Sequence, residues 1–141
     1  MAERGVEIVI ADEAEMLHYF SGFAISENLY RAIIIPIKGT PTMVVRRLDE
    51  QPFLRAAWFD QRRVFEDMDD PVRLVAKVIK DFGSDIVGLD MNSYCMPVKR
   101  FHHLKAFLPK VEFVDFSDVF RTLRLIKSAH EVEAMQIAAR I

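Results

Sequence analysis

Ala32-Ile33-Ile34-Ile35-Pro36-Ile37 is apolar at every position and rich in β-branched side chains, and Lys38-Gly39-Thr40 follows it as a turn. A short apolar run bounded by turn residues predicts a strand covered on both faces, in the middle of a sheet. Thr42 to Val45 is a second such run. Gly39 supplies the backbone freedom of a hairpin loop, so this second run is expected to return antiparallel beside the first.

Upstream, Val6 to Ala11 alternates and then saturates with β-branched residues, which predicts a first strand. Asp12 and Glu13 are read as opening a short helix, with an Asp cap and acids in the first turn. It carries Met16, Leu17 and Phe20 inward and stops at Gly22. Phe23 to Arg31 has no periodicity and reads as a loop. Asp49 to Phe59 predicts a helix with Phe53, Leu54, Ala57 and Trp58 on one face, and Val64-Phe65 a brief strand.

Asp70-Pro71 opens the clearest helix: a capping Asp, a Pro at the first helical position, a stripe of Val72, Val75, Ala76, Ile79 and Phe82, then Gly83 as terminator. Ile86 to Leu89 is a strand, Pro97 to Leu108 a helix with Phe101, Leu104 and Leu108 inward, and Val111 to Val114 a last strand. Strands alternating with helices imply an α/β fold. Its mixed sheet of about six strands carries helices on both faces and acts as a support without chemistry of its own. Ser117 to Ile126 is one more helix. After the Lys127-Ser128 break, Ser128-Ala129-His130-Glu131 forms a capping box that starts another helix, still running at Ile141. A helix that starts with a good cap and ends by running out of sequence suggests a shortened chain.

Composition narrows the function classes. The 141 residues suit one domain, with 51% apolar or aromatic residues. The net charge of −2 is spread in mixed signs, without the clustered Lys and Arg of a nucleic-acid or anionic-membrane surface. No apolar run approaches the ~20 residues of a membrane span, and the first residues lack a signal-peptide layout. With a single cysteine, Cys95, the expected setting is the cytoplasm.

No constellation for catalysis stands out. His102 and His103 are adjacent on a helix and point about 100° apart, so one is read as packed or hydrogen-bonded and the other as solvated. His18 and His130 read as surface residues. Glu66, Asp67, Asp69 and Asp70 precede a helix start, where the helix dipole favours acids, and this reading outweighs a metal site. Cys95 sits in a polar turn without a base, as a small buried or half-exposed thiol. There is no Gly-x-Ser-x-Gly elbow, phosphate loop or dinucleotide fingerprint.

Two stretches carry a family resemblance. His18-Tyr19-Phe20-Ser21-Gly22-Phe23 resembles the Tyr-hydrophobic-Ser/Thr-Gly-aromatic element in the N-terminal domain shared by creatinase, prolidase (Xaa-Pro dipeptidase) and aminopeptidase P. Val111 to Asp115, then Leu123-Arg124-Leu125-Ile126-Lys127-Ser128, then Glu131 to Ala138, resemble that family's junction with its catalytic half. The resemblance implies the creatinase N-terminal fold, with its ribonuclease H-like motif, over residues 1–126. Residues 127–141 are then the start of the first helix of a missing C-terminal pita-bread domain.

In the family that second domain holds two divalent metal ions (Mn, Zn or Co) with two Asp, one His and two Glu, none of whose motif positions exists here. The resemblance therefore implies that the fragment binds no catalytic metal and has no catalytic residues. Its part is dimerisation and shaping of the active-site cleft of a cytoplasmic, metal-dependent Xaa-Pro peptidase. The implied partners are a second copy and the missing catalytic domain, with no nucleic acid and no membrane.

Carried over by position, the loop Ala24 to Arg31 approaches the cleft, and Asn28, Tyr30 and Arg31 are the candidate contacts. Two readings stay open. These residues reach a substrate carboxylate or the cleft wall, or Tyr30 and Arg31 merely cover the sheet edge. The loop is less aromatic than the creatinase pattern, which argues against creatine. The alternatives in function are a free-standing α/β binding module and the N-terminal domain of a creatinase-like amidinohydrolase, which needs no metal.

Overall fold

The structure, a computed structural model, describes residues 1–24 and 29–140. After a single 3-10 turn at Ala2–Arg4, the chain runs β1 (Ile8–Ala11), α1 (Ala14–Ser21), β2 (Ala32–Pro36), β3 (Thr42–Arg46), α2 (Glu50–Ala56), β4 (Arg62–Phe65) and α3 (Pro71–Phe82). It continues through β5 (Ile86–Leu89), α4 (Val98–Phe107), β6 (Glu112–Asp115), α5 (Ser117–Leu125) and α6 (Ala129–Ala138). The strands form one mixed sheet in the order β4-β3-β2-β1-β5-β6. β2 pairs antiparallel with β1 and β3, and the pairs β1 with β5, β3 with β4, and β5 with β6 are parallel.

The uninterrupted apolar run therefore does lie in the interior of a sheet covered on both sides. Ile34 and Val44 point into the layer under α3 and α4, with Val75, Ile79, Leu104 and Leu108. Ile33, Met43 and Val45 point into the opposite layer, with Leu17 of α1, Phe53 of α2 and Phe120 of α5. Period-two alternation distributes Ala32 to Ile34 between two cores, while Ile35 and Pro36 are half-buried and Ile37, expected within the covered run, is exposed.

Two helix ends and one buried face differ from the sequence reading. α2 stops at Ala56, and Ala57 is already extended. Trp58 falls outside the helix, 68% exposed, with its indole Nε1 donating to the Phe20 carbonyl at 2.7 Å. Apolar residues at helical spacing predicted a longer helix, but a tertiary hydrogen bond holds Trp58 instead. On α3, Val78 is buried while Phe82, expected on the apolar stripe, is half-exposed in the last turn. α6 begins at the expected capping box, Ser128 Oγ accepting from Glu131 N and the Glu131 carboxylate from Ser128 N. It ends at Ala138 rather than continuing, and Ile141 lies outside the described residues.

Two glycines hold layers in contact. Gly22 ends α1 with φ 80°, and a Cβ there would meet the Ala56 carbonyl at 3.3 Å. At Gly88 in β5, a Cβ would stand 3.0 Å from the Phe116 ring and 3.1 Å from Val6. Gly88→Ala is therefore expected to lower stability by about 1–3 kcal/mol through overpacking, read as a lower urea midpoint at unchanged slope. An unshifted midpoint would mean that Phe116 gives way freely.

Candidate functional site

The antiparallel register of β1 and β2 sets Ala11 opposite Ile33, and the parallel register of β1 and β5 sets Ile10 beside Leu89. The residue after β1, the residues before β2 and the loop after β5 consequently meet at one end of the sheet. For β1 and β5 this is the carboxyl end, the place where open α/β sheets take up ligands. A cavity of about 270 Å³ lies there, lined by Asp12, Leu29, Tyr30, Arg31, Tyr94, Cys95 and Arg100.

Asp12, read from sequence as a helix cap, has a different place. Glu13 is the residue preceding α1. Asp12 is 5% exposed and its Oδ1 accepts from Ser93 Oγ at 2.6 Å. Ser93 Oγ in turn accepts from Cys95 N at 3.1 Å, and Tyr94 N donates to Glu13 Oε1 at 3.4 Å, so the loop after β5 is tied to the start of α1. Burial pushes the Asp12 carboxyl up from 3.8 to about 6, against the lowering effects of Ser93, Tyr30 and Arg100.

Of the residues expected from sequence, Tyr30 and Arg31 are brought together here and Asn28 lies outside the described residues. Tyr30 is 6% and Arg31 5% exposed. The Arg100 guanidinium stacks 4.4 Å above the Tyr30 ring and donates to the Cys95 carbonyl, which holds the phenol in place. Burial raises the Tyr30 phenol well above its usual 10, with Asp12 adding to the effect, so it stays a neutral hydroxyl. A hydrogen bond between the Tyr30 phenol and the Asp12 carboxylate works against the effect of burial at Asp12 and adds to it at Tyr30. Arg31 donates through Nη1 to the Leu29 carbonyl at 3.0 Å.

A larger groove of about 820 Å³ runs beside β4 and α3, lined by the engaged acids Asp69 and Asp70 and by the basic side chains of Arg73, Lys77 and Lys80. Asp70 caps α3 and accepts from His103 at 2.7 Å, and Asp69 accepts from Glu66 N, as the structural reading of the acidic run anticipated. Asp67 and Glu66 pair with Arg46 and Arg47. His103 is thus the hydrogen-bonded member of its pair, and His102, His18 and His130 are exposed. Among the described residues no three His, Cys, Asp or Glu side chains converge to hold a metal ion. None of the described helices is long and apolar enough to cross a membrane.

With fold and pocket in view, the chain is placed by comparison. It matches the Creatinase/Prolidase N-terminal domain over residues 1–126 and belongs to that family. All of the chain aligns with ectoine hydrolase of Halomonas elongata (strain ATCC 33173 / DSM 2581 / NBRC 15536 / NCIMB 2198 / 1H9), at 26% identity and covering 38% of that protein. It aligns likewise with creatinase of Bacillus sp. (strain B-0618), at 25% identity over 34% of its length. The chain thus spans little more than a third of either curated relative. A recombinant prolidase from Thermococcus sibiricus superposes with a TM-score of 0.83 at 24% identity, covering 99% of this chain and 38% of that one, which shows the shared fold.

The raised Asp12 carboxyl has a measurable consequence. The folded state binds a proton more readily than the unfolded chain, so stability from this group is full below pH 3.8 and is lost as pH rises through about 6. The ionised form costs the fold on the order of 3 kcal/mol. Asp12→Asn does not titrate, so its stability relative to wild type is expected to rise by roughly 1–3 kcal/mol between pH 4 and pH 8 in urea unfolding. A difference independent of pH would contradict the burial of an ionisable Asp12.

Proposed function

We propose that this chain is the non-catalytic N-terminal domain of a metal-dependent hydrolase of Xaa-Pro bonds, and that it serves dimerisation and shapes the active-site cleft. The observation that carries this reading is the pocket at the sheet end, where Arg31 and Tyr30 are buried beside an ionisable Asp12. A fold that needed only stability would fill this site with apolar side chains, since burying charges without close pairing is unfavourable. Perturbed acids in a cleft are candidates for function.

The uncovered apolar surface of the last two helices supports a second domain. Leu125 and Ile126 at the end of α5, and Val132, Met135 and Ile137 on α6, are all exposed. We assign this surface to contact with the catalytic domain and place the domain boundary at Lys127-Ser128, just after the matched residues 1–126. The two divalent ions of the Xaa-Pro reading then belong to that other domain. When bound there, those ions would supply Lewis-acid activation of water for amide hydrolysis. Arg31 would orient the substrate carboxylate from this side, by its bidentate donor geometry.

A second reading, the N-terminal domain of a small-molecule C–N hydrolase, is favoured by the names of the two curated relatives, ectoine hydrolase and creatinase. Assays separate the two. The 141-residue chain alone is expected to turn over neither Xaa-Pro peptides nor creatine, with or without manganese. In the complete polypeptide, Xaa-Pro hydrolysis that depends on manganese is expected, and Arg31→Gln raises KM at least about tenfold while kcat changes less. Metal-dependent hydrolysis by the 141 residues alone would overturn the non-catalytic assignment. Turnover of creatine in preference to Xaa-Pro dipeptides would install the second reading.

A further inference from the structure

β4 is an edge of the sheet: it pairs with β3 on one side, and no described strand lies on the other. Met43 N donates to the Gln61 carbonyl at 3.0 Å, so the parallel ladder uses residues 61, 63 and 65, and the backbone groups of Arg62, Val64 and Glu66 face outward. Both flanks of this edge are closed. The Arg62 carbonyl accepts from Arg63 Nη1 at 3.2 Å, and Glu66 N donates to Asp69 Oδ2 at 2.8 Å. Between them the N–H and carbonyl of Val64 have no partner among the described residues, which leaves a gap one residue wide in a blunted edge. An open edge is a template for one more strand.

Val64 and Phe65 also line the groove of about 820 Å³ beside α3. There Arg73, Lys77 and Lys80 recur at i, i+4 and i+7, within about 60° of the helix circumference and over ~10 Å of its length. All three are exposed, and among the described residues none forms an ion pair or a side-chain hydrogen bond. The neighbouring charges are spent. Asp70 holds His103 and caps α3, Asp69 holds Glu66 N, and Arg62 and Arg63 pair with Glu50 and Asp81. Met68, on the lining of the same groove, is 97% exposed.

Three unbalanced cations beside an open strand edge fit an extended segment with acids at alternate positions. Side chains on one face of a strand recur every ~6.7 Å, against a rise of ~6 Å from Arg73 to Lys77. A nucleic acid fits less well, because its phosphates would run past Asp69 and Asp70 on a chain of net charge −2.

We propose that this groove binds an extended acidic peptide, which adds antiparallel beside β4, exchanges both backbone hydrogen bonds with Val64 and sets its carboxylates on Arg73, Lys77 and Lys80. The groove shares no lining residue with the pocket at the sheet end, so the inference is independent of how that pocket is read.

The test is titration of the 141-residue protein into a fluorescein-labelled octapeptide of alternating threonine and glutamate at pH 7 and low salt, followed by fluorescence anisotropy. Hydrogen exchange of the ¹⁵N-labelled protein is read at the Val64 amide. The peptide is expected to bind with a Kd of about 100 μM or tighter, at least about tenfold tighter than the same peptide with glutamine for glutamate, and at saturation to slow exchange at Val64 about tenfold. Lys77→Glu combined with Lys80→Glu, both on the exposed side of α3, weakens binding about tenfold or more. Should that variant fail to fold, the two peptides and the Val64 amide decide on the unmodified protein. Binding without slower exchange at Val64, equal binding of the glutamine peptide, equal binding of an eight-nucleotide oligothymidine, or no binding at millimolar concentration would overturn the proposal. None of these outcomes bears on whether the complete polypeptide hydrolyses Xaa-Pro peptides.

Discussion

β1 is the seam on which the molecule depends. It accepts β2 antiparallel on one side and β5 parallel on the other, and it joins the β4-β3-β2 half of the sheet to β5-β6. All four of its residues are buried. A one-residue slip of this strand would exchange its two faces, forcing Ile8 and Ile10 into the layer fitted to Val9 and Ala11 and mispacking both cores. The same register puts Asp12, Tyr30, Arg31 and the Ser93 loop within reach of one another. Packing fixes the strand, and the strand in turn fixes the pocket.

The two layers of the core meet this demand differently. Under α3 and α4 the side chains are mostly aliphatic, whereas under α1, α2 and α5 a chain of edge-to-face rings links Phe23, Phe53 and Phe59, with Phe20, Phe116 and Phe120 forming a second cluster. Such ring pairs add about 0.5–1.5 kcal/mol each beyond area burial. Against this background, Asp12, Tyr30 and Arg31 are a local exception to an apolar interior. The fold tolerates an acid whose ionisation opposes stability.

Much of this fold was legible in the chain. The unbroken apolar run at residues 32–37, Gly39 in the hairpin, Asp70-Pro71 and Gly83 around α3, and the Ser128 capping box each carry a local signal whose physics is contained in a few neighbouring residues. Tyr30 and Arg31 were found through the family's loop, and the structure places both on the lining of the pocket at the sheet end. Asp12 was misread because an Asp followed by Glu and a helix is also how a capped helix begins. Only the pairing of β1 with β5, separated by more than seventy residues, shows that the carboxyl meets Ser93 instead. Arg100 was missed for the same reason. Its role comes from the Tyr30 ring, which lies on another element, and no periodicity encodes that meeting. Trp58 marks the opposite failure, an apolar residue at helical spacing that the helix does not use.

The central claim is that Asp12, Tyr30 and Arg31 are buried together around one small cavity at the end of the sheet. A crystal structure of the 141-residue protein grown at pH 8 tests it most directly. The account predicts Asp12, Tyr30 and Arg31 buried around the same cavity, with Ser93 on the Asp12 carboxylate and Arg100 over the Tyr30 ring. A direct Arg31–Asp12 ion pair, or Arg31 swung out into bulk solvent with Tyr30 closing the space behind it, would contradict it.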